Sequence, residues 1–167
     1  MKAATHILSF DGGFLQRGFW LYVWEVTTGA GDKYYYVGRT GDNSSANAQS
    51  PFNRMGQHLS YNPLQNMLRR HLENRDIATE KCNFRLIAYG PIVEEAGTKV
   101  EHRKRRDIIA AMEKALADIM NDAGYNVLNT VNSKKKPDTQ LWEEIRRAFA
   151  IHFPDLNRPA NRGKAKA

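Results

Sequence analysis

At 167 residues, with 41% apolar and 10% aromatic side chains, the chain has the size and composition of one folded domain with a real core. A net charge of +7 and a pI of about 9.6 favour an anionic partner. No apolar run reaches membrane-spanning length, no basic helix carries a broad apolar face, and the lone Cys82 rules out a disulfide framework and a cysteine zinc site.

The first 18 residues carry no strong period, and only a short strand at 7–10 is expected there. Met1–His6 leads into no apolar segment of the signal type, so a reducing, cytoplasmic setting is expected. Residues 19–26, FWLYVWEV, are aromatic and β-branched and predict a strand. Thr27–Asp32 is turn-forming, and Lys33–Arg39 predicts a second strand, so the two make an antiparallel hairpin. Alternation puts Trp20, Tyr22 and Trp24 on one face, and Leu21 and Val23 on the other. Tyr34, Tyr36 and Gly38 share a face of the second strand.

Gly41–Ser50 is polar and short-chained, hence a loop. Pro51 suits the first turn of a helix running to Leu59, and Asn62-Pro63 suits the start of another over Pro63–Asn74. Asn83–Tyr89 predicts a third strand, closed by Gly90-Pro91. A long helix is expected from Gly97 to Asp122, with Ile109, Met112, Leu116 and Met120 on one stripe and Gly124 as its C-cap. SKKKP at 133–137 is a basic linker, and Asp138 or Thr139 caps a last helix through Phe153. The end, NRPANRGKAKA, is basic and rich in small residues, so a disordered tail is expected. The organisation expected is a lead-in over 1–18, a domain over 19–132, a linker with a helix over 133–155, and a tail over 156–167. The fold class is α+β, a small three-stranded central sheet flanked by helices.

Several reactive side chains stand out. Arg54 and His58 are one helical turn apart and share a face that is not the apolar face of Phe52, Met55 and Leu59. An arginine offers a planar fork for phosphate oxygens. Glu113 lies at the edge of the apolar stripe of the long helix, where a carboxylate can meet a cation without full burial. Phosphodiester hydrolysis needs a positioned water, charge neutralisation on the phosphoryl group and help for the leaving oxygen. A tyrosine serves as base only if its phenol is acidified or relays its proton to a neighbour. For each of these groups the alternative is ordinary: core packing for the tyrosines, a solvated face for the charged residues.

Leu21-Tyr22, Tyr36-Val37-Gly38, Arg54, Glu113 and Tyr125-Asn126, in that order and on those elements, resemble the GIY-YIG nuclease family over about residues 19–129. His58 resembles the histidine of that family's restriction-enzyme branch. Two features depart from the pattern: Trp20 stands at the motif glycine, and the 41–50 loop is an insertion relative to compact members. The resemblance implies a metal-dependent endonuclease acting on DNA, with Mg2+ or Mn2+ held by Glu113. It implies that Arg54 stabilises the phosphoryl charge, that Tyr22 aided by His58 activates water, and that Tyr36 orients the site. Arg39 and Arg106 are expected to contact the DNA backbone, and Asn126 to hold the active-site loops. A catalytically inactive DNA-binding module of the same fold is the alternative, RNA cleavage a third option. Neither oligomeric state nor sequence specificity is legible.

Overall fold

The computed structural model describes residues 3–42 and 47–157. It is an α+β fold built on a three-stranded antiparallel sheet with four α-helices. Strand β1, Phe19–Thr27, lies in the centre, with β2, Lys33–Arg39, on one edge and β3, Asn83–Val93, on the other. Both faces of β1 are covered, which is why its sequence is apolar almost throughout. The hairpin register sets Tyr22 opposite Gly38 and Trp24 opposite Tyr36.

The expected alternation holds. Leu21, Val23, Tyr35 and Val37 face helix α3, Lys99–Asp122, and helix α4, Thr139–Ala150; these helices contribute Met112, Leu116, Ile145 and Phe149 to one core. Tyr22, Trp24 and Tyr36 face helix α1, Pro51–Leu59, and helix α2, Met67–Glu73; Leu68 and Leu72 of α2 complete the second core. The helix starts follow side-chain chemistry. Ser50 accepts from the Asn53 amide ahead of α1, Thr98 from Glu101 ahead of α3, and Asp138 from Leu141 ahead of α4. Gly124, at φ +88°, ends α3 in the left-handed region.

Four local expectations are corrected. Residues 7–10 form no strand and pair with neither edge of the sheet; Ile7 and Leu8 are exposed, so they bury no face that would hold a strand in place, and only a 3-10 turn follows at Gly12–Leu15. The second helix is shorter than expected. Asn62 accepts the Leu64 amide with its side chain and the Gln65 and Asn66 amides with its carbonyl, making a separate turn before α2 begins at Met67. β3 runs on through Gly90-Pro91 to Val93, since an edge strand tolerates a proline that donates no ladder hydrogen bond. α4 stops at Ala150, although Phe153 and Leu156 remain buried in the core shared with α3. Residues 156 and 157, expected in the tail, close a 3-10 turn at Pro154–Asn157; the rest of that expected tail, 158–167, like 43–46 of the insertion loop, lies outside the described residues. No helix among the described residues is long and apolar enough to cross a membrane.

Candidate active site

The tyrosine-bearing face of the hairpin meets helix α1. Tyr22 is buried at 1% exposure, and a side chain at Gly38 would run into its ring, so this glycine is what lets the phenol lie flat across β2. The Tyr22 hydroxyl lies 2.6 Å from His58 Nε2 and 3.2 Å from the Arg39 carbonyl oxygen. Tyr36, two residues before Gly38, packs its ring against the same imidazole at a centroid distance of 5.0 Å.

His58 is fully buried. Burial, reinforced by the nearby Arg54 charge, drops its pKa to about 3, so the imidazole is neutral at physiological pH. Burial pushes both phenols well above their usual range; Arg54 opposes that at Tyr22, while Glu113 adds to it at Tyr36. Arg54 itself is clamped, with Nη2 3.0 Å from Asp42 Oδ2 and Nη1 donating to Gln57 Oε1 at 2.7 Å. Its Nε is buried without a partner among the described residues.

Glu113 enters from α3 on the far side of β2. Its Oε2 accepts from Arg39 Nε at 2.8 Å, and both side chains are about 15% exposed. Burial pushes its pKa up to about 7, with Asp42 adding to the rise and the Arg39 guanidinium opposing it. A cleft of about 530 Å³ opens beside Tyr36 and Glu113, lined also by His71, Asn129, Thr130 and Asn132.

Tyr22, Tyr36, Arg39, Arg54, His58 and Glu113 thus converge from β1, β2, α1 and α3. Two expected contributors stand apart. Arg106 bonds Asp107 through Nε and Nη2, with no bond to the cluster around Tyr22. The Asn126 side chain is exposed, and the residue supports the sheet through its carbonyl, which accepts the Tyr35 amide. The side-chain clamp comes from Asn129, whose Oδ1 accepts from Val37 N–H at 3.0 Å and whose Nδ2 donates to Val37 O at 2.8 Å. The basic run 102–106 is also less solvated than a charged helix face suggests. His102 is buried against the Phe19 ring, and Arg105 donates to the Glu94 and Glu95 carbonyls.

Sequence reasoning did not single out Asp42, Gln57, His71 or Asn129. Only Gln57 left a signal, as the residue three places after Arg54 on the same helix face. Trp20 at the glycine position of the family pattern is accommodated: its ring lies against Gly90 and Phe14, and Thr40 pins its backbone at both N–H and C=O.

Among the described residues no three His, Cys, Asp or Glu side chains form a metal-binding group. Mg2+ does not require one, since it keeps several waters and is commonly bound through one or two carboxylates plus substrate phosphate. Glu113 presents one carboxylate of that kind to the cleft, paired there with Arg39, while Asp42 is paired with Arg54. Compared with family models, with curated proteins and with solved structures, the chain has no match.

Proposed function

We propose that this protein is a divalent-metal-dependent endonuclease of the GIY-YIG type that hydrolyses DNA phosphodiester bonds. The observation that carries the reading is the 2.6 Å contact between Tyr22 and the neutral, buried His58, with the Arg54 charge close to both. A tyrosine can act as base by being acidic or by passing its proton on. Burial raises the Tyr22 pKa, which leaves the second route. In that route a water gives a proton to the Tyr22 oxygen as its own oxygen bonds to phosphorus. The Tyr22 hydroxyl proton moves to His58 Nε2, and the phosphorus–oxygen bond to the leaving strand breaks with its electron pair staying on the leaving oxygen, which takes a proton from water; His58 then returns its proton through Tyr22 to solvent.

Holding a proton on His58 at pH 7 costs about 5 kcal/mol at its pKa of about 3. The negative charge of a bound phosphodiester beside the imidazole offsets part of that. Arg54, held in place by Asp42 and Gln57, presents positive charge to the phosphoryl oxygens. Tyr36 packs the imidazole and borders the cleft, so it orients the scissile group. Glu113, with Asp42 nearby, would hold Mg2+ or Mn2+, which when bound neutralises phosphoryl charge and stabilises the leaving oxygen. The net charge of +7 supplies sequence-independent attraction to the DNA backbone. A cytoplasmic setting fits the free Cys82.

One observation favours the second reading, an inactive DNA-binding module: Glu113 and Arg54 are each neutralised within the protein, by Arg39 and Asp42. Plasmid nicking with and without Mg2+ separates the two. Mg2+-dependent nicking, lost in Glu113→Ala and Arg54→Ala, is expected. Salt-sensitive DNA binding with no nicking in either Mg2+ or Mn2+ would leave the binding module as the better account.

A further inference from the structure

We propose that Arg39 is a latch displaced by the cation: its guanidinium neutralises Glu113 until a divalent metal takes that carboxylate, and is then free to bind a substrate phosphate. The inference rests on the metal-dependent nuclease reading and concerns a step that reading leaves open, namely how an already paired carboxylate accepts a metal.

Three features support it. The Arg39–Glu113 bond uses only Nε of the guanidinium, while Nη1 is buried with no partner among the described residues. A guanidinium with an unused N–H facing no acceptor is poorly satisfied where it lies, and a phosphate with several oxygens suits its fork better. Second, a dication and a guanidinium compete for the same carboxylate. Two positive groups at one largely buried carboxylate repel strongly, so the incoming metal expels the arginine.

Third, the backbone is fixed by the strand, while among the described residues the Glu113 bond is what holds the guanidinium. Arg39 is the last residue of β2, paired with Leu21, and its carbonyl accepts from the Tyr22 hydroxyl. The released side chain therefore swings from a fixed anchor at the end of β2 and meets a phosphate in the cleft that Glu113 and Tyr36 line. Arg54, by contrast, keeps a fixed place, because Asp42 and Gln57 each hold one of its terminal nitrogens whether or not a metal is bound.

The latch makes metal and DNA binding cooperative, and the coupling is reciprocal. The test uses the full chain with Mn2+ and a short DNA duplex. Free Mn2+ is followed by its paramagnetic resonance signal, and duplex affinity is measured in EDTA, where nothing is cut. Arg39→Gln is expected to tighten Mn2+ binding about tenfold, on the scale of ordinary coupling energies, and Arg39→Lys to stay near wild type. Glu113→Gln is expected to release the arginine without metal and raise duplex affinity in EDTA about fivefold or more. The double variant Arg39→Gln/Glu113→Gln should lose that gain.

A gain that persists in the double variant would reduce the effect to removal of one negative charge and overturn the latch. Unchanged Mn2+ affinity in Arg39→Gln, with its thermal melt intact, would do the same; if that variant melts early, the Glu113→Gln pair of measurements decides alone. A wild type that takes up Mn2+ but no duplex would instead sink the nuclease reading, an outcome distinct from a duplex-binding protein whose Mn2+ affinity ignores Arg39.

Discussion

Gly38 lies directly across the strand pair from Tyr22, and the space of its absent side chain is filled by the Tyr22 ring. This relationship couples the second strand to the proposed chemistry, because any side chain at 38 has to push the phenol away from His58. Gly38→Ala is expected to cost about 1–3 kcal/mol, as overpacking of a tight core does. Urea denaturation gives that number. Nicking activity should fall further than the lost stability explains, since displacement of the phenol breaks a 2.6 Å contact. Wild-type activity in a folded Gly38→Ala protein would show that the position of Tyr22 is not limiting.

The Tyr22–His58 contact has two possible proton arrangements. With its proton on Nε2, His58 donates to the Tyr22 oxygen, and the Tyr22 hydroxyl donates to the Arg39 carbonyl. With the proton on Nδ1, Nε2 accepts from Tyr22, but a buried Nδ1–H is left without an acceptor among the described residues. Nδ1 is unpaired in either arrangement, but the first makes two hydrogen bonds at the Tyr22 oxygen and the second only one, worth about 1 kcal/mol, so the first arrangement is the resting one and the second is the one a relay requires. Nitrogen-15 chemical shifts of His58 in the free protein should report the Nε2–H tautomer at pH 7. Tyr22→Phe should lower kcat by about 10²–10⁴, the usual share of a positioned acid–base group, while leaving duplex affinity within a few-fold. A Tyr22→Phe enzyme that cuts at the wild-type rate would remove the relay, whereas a resting Nδ1–H tautomer would mean that the relay-ready arrangement is already the populated one.

Much of the scaffold was legible because it rests on short-range chemistry. The aromatic hairpin, the capped helix at Pro51 and the stripe of α3 follow from period and caps, and they emerge close to the expected bounds. What stayed hidden depends on contacts between distant residues. Asp42 matters only because its loop returns to Arg54, and Arg39 only because α3, 74 residues on, delivers Glu113 to it. Arg106 shows the reverse failure: helical spacing gave its flank but not its partner, which is its neighbour Asp107. Asn126 matched the family pattern, yet the buried edge of β2 needs a side chain that both donates and accepts, and Asn129 stands at that spot.

Two buried groups give the folded protein opposite pH responses. Glu113 is raised from 4.5 to about 7, so the folded state binds its proton more tightly than the unfolded chain does. The resulting stability is full below pH 4.5 and is lost as pH rises through 7, an effect of about 3 kcal/mol. His58 is lowered from 6.5 to about 3, so its contribution runs the other way, being present above 6.5 and lost as pH falls toward 3. Between roughly pH 4.5 and 6.5 the two slopes cancel. Urea titrations of wild type and Glu113→Gln across this range should diverge, the variant gaining on wild type by about 1.4 kcal/mol per pH unit. A constant difference between the two proteins would mean that Glu113 is not the titrating group.

Metal uptake should follow the same carboxylate. A cation binds the deprotonated form, so Mn2+ affinity is expected to rise steeply with pH below about 7 and level off above it. Isothermal titration at several pH values, in buffers of different protonation enthalpy, would also register the released proton. Affinity that keeps climbing with the same slope past pH 8 would point to a ligand other than Glu113.

The Asn129 clamp offers a way to separate support from chemistry. Its amide satisfies both the N–H and the C=O of Val37, one residue from Tyr36 and one from Gly38. Asn129→Ala leaves two partly buried backbone groups unpaired, unless water fills the gap, and should cost about 1–3 kcal/mol. Asn129→Asp keeps an acceptor for the amide but sets a carboxylate against the Val37 carbonyl. If the residue only supports the strand, Asn129→Asp should be as destabilised as Asn129→Ala, and activity should track stability in both. Because Asn129 also borders the cleft beside Glu113, a contact with substrate would show differently: KM would rise in Asn129→Ala at temperatures where the protein is fully folded. Support of the strand is the expected result, with kcat and KM unchanged well below the melting temperature.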